Sequence, residues 1–171
     1  MTLQEKLKLN TDTLLNSFKT LTNEQIQFKP ADTVWSISEI IEHVFLVDVG
    51  VAKVLTLPPE KGNTENNRTE LFSDQKLNTL LVNRSFKVPA PDFVSPQGRF
   101  ANADDAAKNI NIIIDKIIYH LDTNKIEEET HTIKHQVLGE MTKTDWVHFL
   151  IHHTNRHLMQ LEEVKKSIVI N

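Results

Sequence analysis

Apolar residues recur at helical spacing in four long stretches of the chain. These stretches cover residues 2–21, 37–57, 103–121 and 143–168, in which leucine, isoleucine, valine and phenylalanine recur about every three or four positions, although Asn10 interrupts the first stripe and histidines occupy two positions of the last. Such spacing places the apolar side chains on one face of a helix. The pattern therefore predicts four amphipathic helices that bury these faces against one another.

Capping residues mark the predicted ends of the second and fourth helices. Ser36 followed by Glu39 forms a capping box, in which a hydroxyl and a carboxylate bind free backbone N–H groups of the first turn. Pro58 cannot continue the second helix and ends it. Thr142 or Thr144 is the predicted cap of the last helix.

The connections between the long helices are polar or rich in proline. We expect a turn region over 22–34, a polar loop over 61–70, a short helix over 71–82, an extended covering segment over 85–100 and irregular chain over 122–138. The sequence THTIKHQVLG near the end of the last connection fits either a short strand or a loop. Four long helices with one connection of about 45 residues are typical of a four-helix bundle with a crossover, so we predict an all-α fold and a single domain over residues 1–171.

Composition excludes several classes of function. The 171 residues include no cysteine, which excludes disulfides, thiolate-bound metals and a cysteine nucleophile. The 19 Lys and Arg against 23 Asp and Glu give a net charge of −4 and no basic surface for nucleic acid or an anionic membrane. No apolar run approaches the roughly 20 residues of a membrane span, and the polar start lacks a secretory signal. We therefore expect a cytoplasmic protein whose partner is a small molecule.

Histidines are the candidate functional residues of this chain. His153 and His157 are separated by four positions and lie on the apolar face of the last helix, so their imidazole nitrogens can bind one ion at about 2.0–2.1 Å. His43 continues the apolar stripe of the second helix. If these two helices are neighbours, the three rings form a site with open positions for water or substrate, as in catalytic rather than structural metal centres.

Other interpretations of these histidines stay open. A single buried histidine is more often bonded to a backbone carbonyl than to a metal, and this applies to His43. Two further pairs share the H-x-x-x-H spacing: His131 with His135 in a predicted loop, and His148 with His152 off the apolar stripe. We expect the latter pair to be exposed or packed at the edge of the bundle.

Two segments about 110 residues apart resemble the DinB-like (DinB/YfiT-like) metalloenzyme superfamily. Trp35–Val44, with the sequence WSISEIIEHV, is similar to the W-S-I-x-E-I-x-x-H pattern that opens the second helix of that family. The sequence HTNRHLMQ at 153–160 is similar to the family's H-x-x-R-H-x-x-Q in the last helix. Pro89–Phe100 also resembles the family's middle linker.

This resemblance implies a four-helix bundle with up-down-down-up connectivity and a divalent metal ion bound by His43, His153 and His157. Zinc, nickel, iron and manganese all accept imidazole ligands. Some members of the family are S-transferases or isomerases that use low-molecular-weight thiols such as bacillithiol or mycothiol. The implied activity is therefore thiol transfer or hydrolysis, with any thiol supplied by a cosubstrate because the chain has no cysteine.

Three further residues are candidates for contacts around the ligands or the pocket: Arg156, Gln160 and Trp146.

Two alternatives to an enzyme remain at this stage. The first is a non-catalytic module that binds a small apolar ligand or a second copy of itself as a homodimer. The second is a structural metal site with a closed fourth ligand.

Overall fold

The computed structural model describes residues 1–58, 74–82, 90–124, 126 and 131–169. These residues form six helices, one 3-10 turn and one two-stranded hairpin, in the order α1 Leu3–Phe18, α2 Asn23–Gln27, α3 Ile37–Thr56, α4 Asp74–Val82, the 3-10 turn Asp92–Val94, α5 Ala103–Thr123, β1 Ile133–His135, β2 Gly139–Met141 and α6 Lys143–Val169. The all-α class is thus confirmed. Within this part of the chain, no helix has both the length and the apolar character needed to cross a bilayer.

The long helices begin where the capping residues place them. The Ser36 hydroxyl accepts a hydrogen bond from the Glu39 N–H at 3.2 Å, and the Glu39 carboxylate accepts one from the Ser36 N–H at 2.7 Å. At the start of α6, Thr142 is the cap: its hydroxyl accepts from the Asp145 N–H at 3.1 Å, and the Asp145 carboxylate accepts from the Thr142 N–H at 2.9 Å. Thr144, the other candidate, instead donates its hydroxyl hydrogen to the Ile126 carbonyl.

Two connections contain short elements that apolar periodicity does not show. The prediction of a turn region over 22–34 is wrong for Asn23–Gln27, which form α2 because Thr22 and Gln25 make a capping box and Ile26 is buried. The described part of the THTIKHQVLG segment contains strand β1 and the first residue of β2, and the two strands pair antiparallel with Ile133 opposite Met141. The predicted loop over 61–70 lies outside the described residues, as do residues 71–73 of the predicted short helix and residues 85–89 of the covering segment.

Helices α1 and α3 each pack against both α5 and α6. The short α4 packs on α6. Large apolar side chains fill the space between the helices, and each contributes about 1.5–3 kcal/mol of stability by its burial; they include Leu7, Leu14, Phe18, Ile37, Ile40, Ile41, Leu55, Ile110 and Ile117. The direct packing of α3 against α6 brings the helix with His43 beside the helix with His153 and His157.

Candidate metal centre

Three histidine rings meet in the interior between α3 and α6. His43, His153 and His157 are 5%, 8% and 7% exposed, and one ring nitrogen from each lies within 4.8 Å of the others. The ring centroids are 4.5–5.0 Å apart. Among the described residues, this is the one group of three or more histidine or acidic side chains close enough to share an ion.

The helical geometry explains this convergence. His153 and His157 are one turn apart on α6, so their side chains project from the same face. His43 lies on the face of α3 that also buries Ile40. Because both faces are apolar on either side of the histidines, the packing that buries their neighbours also buries the rings.

Hydrogen bonds fix the tautomer of two of the rings. The Nδ1 atom of His43 lies 2.8 Å from the Val94 carbonyl, and Nδ1 of His157 lies 2.9 Å from the Gln160 side-chain oxygen. Both partners are acceptors, so each Nδ1 carries the hydrogen and each Nε2 keeps its lone pair. This is the orientation in which histidine binds a metal while its other nitrogen donates to an outer acceptor.

His153 supplies the third nitrogen. Its Nε2 lies 3.2 Å from Nε2 of His43, and its Nδ1 is buried with no hydrogen-bond partner among the described residues. A separation of 3.2 Å is less than twice the usual imidazole–metal bond, about 4.1 Å in total, so one ion can bind both nitrogens. A set of three imidazoles suits zinc, nickel, iron and other borderline divalent metals, and the residues therefore fit such an ion.

Burial disfavours the charged form of two of these rings. It lowers the pKa of His43, although the hydrogen bond to Val94 acts in the opposite direction. The pKa of His153 lies well below its ordinary value of 6.5, first because of burial and then because electrostatic interactions with His157, His43, Arg156 and His135 disfavour its protonated form. Only neutral imidazole has the lone pair that binds a metal, so these shifts favour the ligating form at neutral pH.

Comparison with known proteins identifies the family of this chain. Residues 6–161, which include all three histidines, match the sequence model of the DinB superfamily. The chain belongs to the DinB superfamily. A relative from Bacillus subtilis (strain 168), named "Uncharacterized protein YuaE", is 26% identical over 153 residues, which cover 90% of this chain and 91% of the relative. No solved structure matches the chain.

The remaining candidates of this DinB superfamily protein lie at different distances from the rings. Gln160 contacts His157 directly, as described above. Trp146 lies further out, where its ring packs against His135 and Phe149 and its indole N–H donates to the Ile133 carbonyl at 3.3 Å. The roles of both residues toward a metal stay predictions.

Arg156 connects α6 to α4. Its guanidinium donates a hydrogen bond to the Leu81 carbonyl at 2.8 Å, near the end of α4. This carbonyl belongs to the last turn of a helix, where backbone acceptors have no intrahelical partner. Arg156 thus links α6 to α4, and its charge also acts on the pKa of His153. Its role toward a metal stays a prediction.

Aromatic rings that no sequence pattern assigned to the site pack against two of the three histidines. The Trp35 ring centroid lies 5.1 Å from that of His43, and Phe149 lies 5.4 Å from His153. His135, expected in a loop, lies on β1 and packs 4.8 Å from Phe149. Its Nδ1 accepts hydrogen bonds from two backbone N–H groups of the hairpin. Phe149 lies three positions after Trp146 and four positions before His153 on α6. This helical spacing was the sequence pattern that could indicate that these rings are neighbours.

His148 and His152 are both half-buried. His131 is half-buried as well. A backbone carbonyl was one expected partner of His43, but the sequence did not indicate that it belongs to Val94. No side-chain pattern identifies a backbone acceptor, so only the structure could reveal this contact.

Proposed function

We propose that this DinB superfamily protein is a divalent-metal-dependent enzyme that catalyses transfer of a low-molecular-weight thiol or a hydrolysis. His43, His153 and His157 are the metal ligands in this proposal. It depends on one observation: three buried imidazoles converge, and outer acceptors direct the Nε2 lone pairs of two of them to a common point.

The proposal includes the architecture that the resemblance implies. We propose one domain over residues 1–171, in which α1, α3, α5 and α6 form a four-helix bundle with up-down-down-up connectivity. The packing of α1 and α3 against both α5 and α6 supports this arrangement. In such bundles, metal sites are built in the core from side chains on facing helices.

Three protein ligands leave coordination positions for other molecules, which is typical of catalytic sites. A divalent ion supplies Lewis acidity, which lowers the pKa of a thiol or a water molecule toward neutrality. The chain has no cysteine, so a cosubstrate thiol would provide the sulfur. In a transfer, this sulfur would lose its proton and form a bond to the electrophilic carbon as the bond from that carbon to its leaving group breaks. The three histidines would hold the ion, and the rings of Trp35 and Phe149 pack against two of them.

Metal analysis of protein purified without a polyhistidine tag tests this function. We expect about one zinc, nickel, iron or manganese ion per chain, removal by a chelator, and turnover in a screen of several thiols against electrophiles and hydrolysable esters. Metal-free protein whose stability is unaffected by added ions would contradict the proposal and favour a small-molecule-binding or dimeric module. Bound metal that stabilises the fold without any turnover would indicate a structural site.

Gln160 provides a prediction about the ligand environment. Gln160→Ala removes the acceptor for the His157 Nδ1–H, and we expect metal affinity to fall about 10–100-fold, as is usual when an outer partner is lost. Gln160→Glu keeps an oxygen acceptor and should retain most of the affinity. Competition with a chromophoric chelator measures both variants, and equal affinities for Gln160→Ala and wild type would show that this hydrogen bond has no effect on the site.

A further inference from the structure

Glu42, the residue before His43, is a buried carboxylate with an unusual set of partners. It is 2% exposed. Its two oxygens accept hydrogen bonds from three consecutive backbone N–H groups, those of Gln97, Gly98 and Arg99, each at 2.9 Å. Among the described residues, backbone N–H groups rather than a cation therefore satisfy this charge. Hydrogen bonds from several amides to one carboxylate are charge-assisted and stronger than neutral ones.

The segment that Glu42 binds is the one that supplies the acceptor for His43. Val94 lies three residues before Gln97, and Pro96 between them has a fixed φ angle. The 3-10 turn Asp92–Val94 fixes the chain on the other side of the Val94 carbonyl. The position of the Val94 carbonyl thus depends on the 3-10 turn on one side and on the hydrogen bonds to Glu42 on the other.

Two more contacts hold the far end of this segment. The Phe100 carbonyl accepts hydrogen bonds from the Ser38 hydroxyl at 2.7 Å and from the Gln27 side-chain amide at 2.8 Å. Ser38 is one helical turn before Glu42, so one edge of α3 binds residues 97–100 while the adjacent position 43 faces the metal centre. Gly98 has a φ of +79°, a conformation that lets three successive N–H groups turn toward one carboxylate.

We propose that Glu42 is a positioning residue of the metal centre. By binding residues 97–99, its carboxylate holds the Val94 carbonyl against Nδ1 of His43, which fixes the ring in the Nδ1–H tautomer with Nε2 directed toward His153. The inference rests on the proposed function of the three histidines as ligands. It assigns to Glu42 an effect on metal affinity, through the loop and the His43 ring, in addition to its effect on folding.

Glu42→Gln is the decisive variant, with Glu39→Gln as its matched control. The amide at position 42 has one oxygen and an NH₂ group that opposes the loop N–H groups, so the loop and Val94 should move. Glu39 lies on the same helix and binds Ser36 and Lys29 instead. We expect about 10–100-fold weaker binding of Zn²⁺ to Glu42→Gln, measured by chelator competition on folded protein, and an unchanged affinity for Glu39→Gln.

A second measurement on metal-free protein separates positioning from folding. Long-range ¹H–¹⁵N spectra of the imidazoles distinguish the two tautomers, and we expect His43 to be Nδ1–H in wild type and a mixture in Glu42→Gln. If Glu42→Gln does not fold, Glu42→Asp keeps the charge but withdraws it by one methylene, and a smaller change in the same direction is expected.

Folded Glu42 variants with wild-type affinity and an unchanged His43 tautomer would overturn the inference. Failure of the wild type to bind any divalent ion would overturn the proposed function instead. In that case the tautomer spectra still decide whether Glu42 positions His43.

Discussion

His153→Ala is expected to lose stoichiometric metal binding. The substitution leaves His43 and His157 on opposite helices with one ligand too few for the three-imidazole site. Loss of a ligand should exceed the 10–100-fold effect of losing an outer partner, so we expect affinity to fall more than about 100-fold. Elemental analysis of tag-free protein after gel filtration should find about one ion per chain in wild type and close to none in the variant.

The matched control is a histidine outside the cluster. His120, at the end of α5, contacts the Asn124 side chain in an exposed position, and His120→Ala should keep full occupancy. Circular dichroism of each protein with excess chelator shows whether the variant is folded. Full metal occupancy in folded His153→Ala would show that the three rings are a buried polar cluster rather than a binding site.

The long helices could be predicted because their apolar periodicity extends over many turns. The capping box at Ser36 placed the start of α3 to the residue. In α6 two threonines could serve as caps, and only the structure distinguishes them. The five-residue α2 was missed because one turn of helix is too short to show periodicity, and its formation depends on the capping box of Thr22 and on burial of Ile26.

The candidate site could be predicted as far as side chains on helices determine it. Helical phase selected His153 and His157, and the position of His43 on an apolar stripe supplied the third ring. The parts that were missed depend on how distant segments meet. The Val94 carbonyl is a backbone atom, and the three amides bound by Glu42 lie in a loop more than 50 residues away. No local pattern reports contacts of this kind.

Asp48 is a buried acid that the proposed metal site does not use. It lies on α3, is 2% exposed, and one of its carboxylate oxygens has no hydrogen-bond partner among the described residues. Burial raises the pKa of this carboxyl from its ordinary value of 3.8 to about 8. The side chain is therefore a neutral acid in the folded protein at pH 7, whereas it is ionised in the unfolded chain.

This shift makes stability depend on pH in a defined direction. A group whose pKa is raised by folding contributes fully to stability below its unfolded value, and this contribution is lost as the pH rises through the folded value. For Asp48 the loss extends from about pH 4 to about pH 8. Each pKa unit corresponds to about 1.4 kcal/mol, so between pH 5 and pH 8 the free energy of unfolding should fall by about 4 kcal/mol on account of this residue.

Asp48→Asn has nearly the same shape and cannot ionise, so it should remove this dependence. We expect the variant to gain about 4 kcal/mol relative to wild type between pH 5 and pH 8, measured by urea unfolding of both proteins in the presence of a chelator. The buried histidines also affect stability below about pH 6.5, but they are common to both proteins and cancel in the difference. Asp12→Asn, on the exposed surface of α1, controls for the loss of one charge. The free energy of unfolding could instead differ between Asp48→Asn and wild type by the same amount at every pH. That result would mean that Asp48 is ionised in the folded protein and that its Oδ1 atom has a partner.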